Sequence, residues 1–191
     1  MEALFVSTCI VALAEIGDKT QLLAFILAAR FKKPRPVILG ILIATLANHG
    51  IAGALGAWIT VQITPETLRW LLGLSFIAIA IWVLIPDKFD ETDTPLTRYG
   101  IFGTTLITFF LVEIGDKTQI ATIALAARYQ ELVAVVLGTT LGMMIINVPA
   151  VLLGERIADR IPVRLVHSIA ASIFFLLGIA VLISLGSNPE F

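Results

Sequence analysis

The chain has 191 residues, of which 58% are hydrophobic and 14% charged, with a net charge of −1 and a mean hydropathy of +0.98. A water-soluble domain of this size needs far more polar surface, and a nucleic-acid partner needs a basic stripe that this chain lacks. The single cysteine, Cys9, excludes an internal disulfide and a cysteine-cluster metal site; within an apolar run it reads as a small buried hydrophobe.

The first apolar run is predicted over residues 3–29. The start, Met1-Glu2-Ala3-Leu4, lacks the basic region of a secretory leader, and the segment around Glu15 returns near Glu113, so the run is read as a functional span. Five more runs long enough to cross roughly 30 Å of hydrocarbon follow, at about 36–60, 67–86, 100–127, 132–154 and 164–186. Loop chemistry separates them: Lys32-Lys33-Pro34-Arg35-Pro36, Thr64-Pro65-Glu66, the polar stretch from Asp87 to Thr97, Tyr129-Gln130-Glu131, and Asp159-Arg160-Ile161-Pro162. Long uninterrupted runs favour helices over a barrel. The expected fold is an all-α integral membrane protein of six transmembrane helices.

The chain also repeats itself. Glu15-Ile16-Gly17-Asp18-Lys19-Thr20-Gln21 recurs unchanged as Glu113-Ile114-Gly115-Asp116-Lys117-Thr118-Gln119, at an offset of 98. The same offset maps Leu27-Ala28-Ala29-Arg30 onto Leu125-Ala126-Ala127-Arg128, Gly40 onto Gly138, Ala44 onto Gly142, and Val83-Leu84-Ile85 onto Val181-Leu182-Ile183. Gly40/Ala44 and Gly138/Gly142 are small pairs suited to close helix packing. Residues 1–86 thus form a first three-helix repeat, 87–99 a linker and 100–191 a second repeat. Three spans per repeat make the second copy enter the bilayer from the opposite side, the inverted plan of many secondary transporters.

Loop charge orients the chain. Arg30, Lys32, Lys33, Arg35, Lys88, Arg98, Arg156, Arg160 and Arg164 fall on one face, against Arg69 and Arg128 on the other. The first face is expected to be cytoplasmic, with the linker, and both termini extracytoplasmic. The acidic linker stretch Asp87–Asp93 reads as a solvated connector, and Trp58, Trp70 and Trp82, near span ends, as interface anchors.

Each half carries a glutamate, an aspartate and a lysine inside an apolar span. Each such charge costs at least ~2.5 kcal/mol on insertion scales, so the sets mark a site or pathway. On a continuous helix Glu15, Asp18 and Lys19 share a face, as do Glu113, Asp116 and Lys117. If the repeats bring these faces together, Glu15, Asp18, Glu113 and Asp116 surround one point. Oxygen-only ligands suit Ca²⁺, Mg²⁺ or Mn²⁺, and four acids with two lysines leave −2, which one divalent ion neutralises. Protons taken up as the ion departs would give proton-for-metal exchange. Lys19 and Lys117 are read as tethers for Glu15 and Glu113 one turn away; standing in for the cation in the empty site is the alternative. Thr20 and Thr118 are expected to bond carbonyls of their own helices. Gln21 and Gln119 border the aspartates as candidate amide ligands, and Gly17 and Gly115 serve bending, close approach or packing. Asn48, His49 and Asn147, on the second span of each half, are candidates for a further ligand or proton relay, with interhelical hydrogen bonding the preferred reading.

The doubled E-x-G-D-K-T motif in six spans closely resembles the GDT-type manganese/calcium transporters, also called type-2 calcium/cation antiporters, which include the bacterial MneA-type manganese exporters. The resemblance covers the whole chain. It implies export of Mn²⁺, or Ca²⁺ in eukaryotic relatives, against protons, with Glu15, Asp18, Glu113 and Asp116 binding the ion. The short amino-terminal region and central loop resemble bacterial members of a plasma or inner membrane. The ion is cargo, so no bound cofactor is expected, and no feature fixes an oligomeric state. Two other functions compete: export of a small organic solute such as an amino acid, which the −2 of the motif set disfavours for anions, and an intramembrane acid/base enzyme. The latter lacks a Ser-His pair, a zinc-binding His motif and a phosphate loop, so the chain is read as a transporter and not an enzyme.

Overall fold

A computed structural model describes residues 1–85, 99–153 and 163–183. Most of the expected linker, its Lys88 and Arg98, and the Arg156, Arg160 and Asp159–Pro162 features lie outside the described residues. Eight helices occur among the described residues: α1 (Glu2–Glu15), α2 (Lys19–Phe31), α3 (Pro34–Gln62), α4 (Pro65–Val83), α5 (Gly100–Glu113), α6 (Lys117–Tyr129), α7 (Leu132–Leu153) and α8 (Val163–Ile183).

The expected runs 36–60, 67–86, 132–154 and 164–186 correspond to α3, α4, α7 and α8, each long and apolar enough to cross a membrane. The first and fourth expected spans do not form continuous helices. Each breaks inside its motif, at Ile16-Gly17-Asp18 and Ile114-Gly115-Asp116. The cause is local. Gly17 and Gly115 take φ of +79° and +75°, a region open to glycine and closed to a continuing helix of L-residues. Asp18 and Asp116 then adopt extended N-cap geometry, and their carbonyls accept the first bonds of the new helices, from Leu22 and Ile120. Gln21 and Gln119 reach back to the Gly17 and Gly115 amides at 2.8 and 2.7 Å, a variant of the capping box.

The other boundaries follow ordinary capping chemistry. α2 and α6 close with Lys32 and Gln130 in the left-handed region, at φ of 51° and 54°, donating to Ala28 and Ala126. Proline opens α3 and α4, where its missing N–H costs nothing.

The repeats interlock. α1 packs along α7 and, in the equivalent position, α5 packs along α3. Gly138 lies against the Leu4 carbonyl and Ser7, while Gly40 lies against the equivalent Phe102 carbonyl and Thr105. The small pairs of the sequence thus bring backbones together. α4 and α8 pack against each other, with the rings of the equivalent residues Phe76 and Phe174 tilted by 31° at 6.2 Å between centroids.

The radial pattern is the reverse of a soluble protein's. Leu55, Leu111, Ile145 and Leu176 are exposed, whereas Glu15, Asp18, Asn48, His49, Glu113, Asp116, Lys117 and Asn147 are buried. Such a pattern suits a surface wetted by lipid.

Candidate ion site

The two helix breaks face each other across the repeat boundary. Glu15 and Glu113 end α1 and α5, Asp18 and Asp116 cap α2 and α6, and all four carboxylates are buried. An aspartate at a helix start also meets the positive end of the helix dipole.

The lysines do not tether the glutamates of their own motifs. Lys117 Nζ donates to Asp18 Oδ1 at 2.6 Å, and Lys19 Nζ lies 3.4 Å from Asp116 Oδ1. Each lysine therefore neutralises the aspartate of the other repeat. The one-turn tether needed an unbroken helix from position 15 to 19, and the break removes it.

The glutamates are held by neutral and imidazole groups. Thr20 Oγ1 and Asn147 Nδ2 both donate to Glu15 Oε1, the latter at 3.0 Å. His49 Nε2 stands 3.0 Å from Glu113 Oε1, close enough for electrostatic contact though not aligned as a hydrogen bond. Thr45 Oγ1 donates to Glu113 Oε2 at 3.4 Å. His49 and Asn147 are equivalent at the offset of 98, so each repeat sends the same position of its second span to the other repeat's glutamate, with Thr45 added on the first.

Thr20 departs from the expectation of a carbonyl bond. Its helix begins only at Lys19, so no turn precedes it, and its hydroxyl goes to the Glu15 carboxylate. Thr118 likewise donates to Asp116 Oδ2 at 3.2 Å. The amide oxygens of Gln21 and Gln119 are engaged by the glycine N–H groups, while the Gln119 amide nitrogen donates to Asn48. Asn48 in turn donates to the Phe110 carbonyl at 3.5 Å, so its part is interhelical bonding.

Among the described residues, no three His, Cys, Asp or Glu side chains form a ready cluster for a metal ion. The expected gathering of four carboxylates about one point is replaced by two lysine–aspartate pairs flanked by two glutamates. Four bare anions in a low-dielectric interior repel strongly, and two ammonium groups relieve that repulsion. Acceptors remain beside these pairs: Glu15 Oε2 and Asn147 Oδ1 are buried without a hydrogen-bond partner among the described residues. Such orphaned oxygens are uncommon and suit a hard cation.

Two polar residues near the site were not singled out from sequence. Thr45 lies one turn before His49 on α3, a spacing that places both on one face. His167, near the start of α8, has Nε2 2.6 Å from the Ile16 carbonyl. An ionisable residue inside an otherwise apolar span was its available signal.

A family model described as "Divalent cation/proton antiporter GDT1" matches residues 3–91 and 101–188. A Vibrio cholerae protein named "Putative manganese exporter" is 49% identical over 181 residues, covering 94% of this chain and 90% of that protein. "GDT1-like protein 3" of Oryza sativa subsp. indica is 29% identical over 201 residues, covering 91% and 71%. "GDT1-like protein 5" of Arabidopsis thaliana is 27% identical over 210 residues, covering 90% and 91%. No solved structure matches the chain.

Proposed function

Because this chain belongs to the GDT1 family of divalent cation/proton antiporters, we propose that it exports Mn²⁺ in exchange for protons, by alternating access at the two facing helix breaks. It is a multi-pass membrane transporter of divalent cations, not an enzyme. On this reading α1 with α2 and α5 with α6 are broken spans, and the six spans form two inverted repeats with cytoplasmic linker and extracytoplasmic termini. Backbone breaks of this kind are tolerated in a membrane where they line a site.

The observation that carries the proposal is the reciprocal exchange of lysines between repeats. Lys117 and Lys19 place positive charge against Asp18 and Asp116, as a cation would. In this reading they stand in for the cargo, the surrogate role that the sequence offers as the alternative to a tether. An arriving divalent ion displaces one or both ammonium groups and takes oxygens from Glu15, Asp18, Glu113 and Asp116. Nearby Asn147, Thr20 and Thr118 can shape that set, and Ca²⁺ is the second candidate cargo because it accepts the same ligands. When the ion leaves, lysines and protons restore neutrality, which couples the fluxes.

The test is Mn²⁺ and Ca²⁺ uptake into proteoliposomes, with and without an imposed pH gradient. Wild type is expected to move Mn²⁺ faster with a proton gradient directed oppositely, and Glu113→Gln to lose at least tenfold of that flux. Uptake of neither ion, or uptake indifferent to both the gradient and the substitution, would overturn the proposal.

A further inference from the structure

The two repeats exchange lysine–aspartate pairs alike but differ in how their helices pack around the site. Among the described residues, α6 lies extensively along α3 and also packs against α4; its equivalent α2 lies less extensively along α7 and makes no comparable contact with α8. α8 in turn packs against α1, whereas α4 makes no comparable contact with α5 among the described residues. One side of the bundle is therefore drawn together around α6 and the other is parted around α2.

The site records the same difference. Lys117, at the start of α6, is fully buried against Asp18, whereas Lys19, at the start of α2, is 26% exposed. The loop at the second break is more open than that at the first: Ile114 is 54% exposed, and Ile16 is covered more deeply.

His167 and Arg69 occupy equivalent positions at the offset of 98, on α8 and α4. His167 is buried and bonds the Ile16 carbonyl, one of the groups left without a helical partner by the first break. A carbonyl only accepts, so Nε2 carries the proton. Arg69 does not lie at the second break. It lines a cavity of about 210 Å³ with Thr60, Arg128 and Gln130, at the far end of α6; a 13-residue helix puts that end roughly 20 Å from Ile114.

We propose that His167 and Arg69 are alternating latches. Each fastens the helix break of the opposite repeat in one of two states, with His167 on the Ile16 carbonyl in the present state and Arg69 on the Ile114 carbonyl in the other. Two copies of one unit in unlike arrangements can exchange them, and the exchange turns the parted side into the closed one. The parted side carries Lys33 and Arg164, the face that loop charge assigns to the cytoplasm. The present state is then open to cytoplasmic cargo. His167 and Arg69 are positioning residues, and neither is among the ion's proposed ligands. The inference rests on the alternating-access reading above and names the groups that hold its two states.

The experiment uses the full chain with Cys9→Ala and two spin-label pairs at equivalent exposed positions, Lys33→Cys with Arg164→Cys, and Glu131→Cys with Glu66→Cys. Pulsed dipolar distances in lipid nanodiscs, without metal, should show the first pair farther apart than the second in the main population. His167→Ala should raise the population with reversed distances about five- to tenfold, the scale of one lost hydrogen bond. His167→Gln keeps an N–H donor and should restore the wild-type ratio. Arg69→Ala should shift the ratio the other way, which also tests the idea should His167→Ala fail to fold. A purely structural role would lower the melting temperature of both variants without opposite shifts. Unchanged ratios in folded variants, or shifts in the same direction, overturn the latches. Flux of Mn²⁺ without any reversed population removes the latches and leaves the transport reading standing. A reversed population that answers to both variants, without flux of either ion, supports the latches and removes the cargo.

Discussion

Lys117 Nζ and Asp18 Oδ1 meet at 2.6 Å in the buried centre of the molecule, although 99 positions separate them in the chain. The pair joins the start of one half-helix to the start of another. Removing one partner strands a charge in a low-dielectric interior, at about 3–5 kcal/mol for a buried pair. Lys117→Met is therefore expected to lower the unfolding temperature sharply in detergent. Asp18→Asn combined with Lys117→Met removes both charges of the pair and should recover most of that loss. Equal instability of the single and double variants would show that the ion pair is not what Lys117 contributes.

The backbone at the second break gives a separable test. Gly115 has φ of +75°, and a Cβ added there meets nothing within 4 Å. Gly115→Ala therefore adds left-handed strain without a clash, and about 1–2 kcal/mol of destabilisation is expected. Gly115→Asn should cost less, because asparagine tolerates this region better. Thermal melts of the three proteins check the order glycine, asparagine, alanine.

Where α6 crosses α3 the limit is steric. A Cβ on Gly56 would overlap the Ile123 carbonyl oxygen and press on Ala126. The obstacle is backbone, so α6 itself must move. Gly56→Ala should destabilise the closed side by about 1–3 kcal/mol, and the Glu131–Glu66 label distance should lengthen. By contrast, Gly50 has open space around an added Cβ, and Gly50→Ala should leave both readouts unchanged.

Asn147 donates both to Glu15 and to the Met143 carbonyl. Asn147→Leu leaves Glu15 with Thr20 as its remaining side-chain donor, and a loss of about 1–3 kcal/mol is expected from the uncompensated buried carboxylate. Asn147→His copies the partner that Glu113 has in His49 and should retain more stability than leucine. Denaturation in matched detergent separates the three.

Much of this was written in the chain itself. Apolar run length placed the four long helices within a few residues, because lipid thickness sets a fixed demand on helix length. The doubled motif named the four carboxylates that are buried among the described residues, because ionisable groups are otherwise excluded from such spans. Even the breaks had a local signature, Gly-Asp-x-x-Gln, a glycine followed by a capping aspartate and a glutamine three residues on. Apolar periodicity overrode it, and a continuous helical face was inferred where two half-helices start and stop.

Partnership was decided only in three dimensions. Within one motif, Lys19 has carboxylates before and beside it, and sequence distance favours the nearest. The fold instead places Asp116 opposite it, because Gly17 turns the chain and the second repeat interlocks with the first. The unequal surroundings of His167 and Arg69 were equally beyond the sequence. An identical motif specifies the same local chemistry twice, but two interlocked copies can settle into unlike packings, and only the completed bundle shows which copy took which.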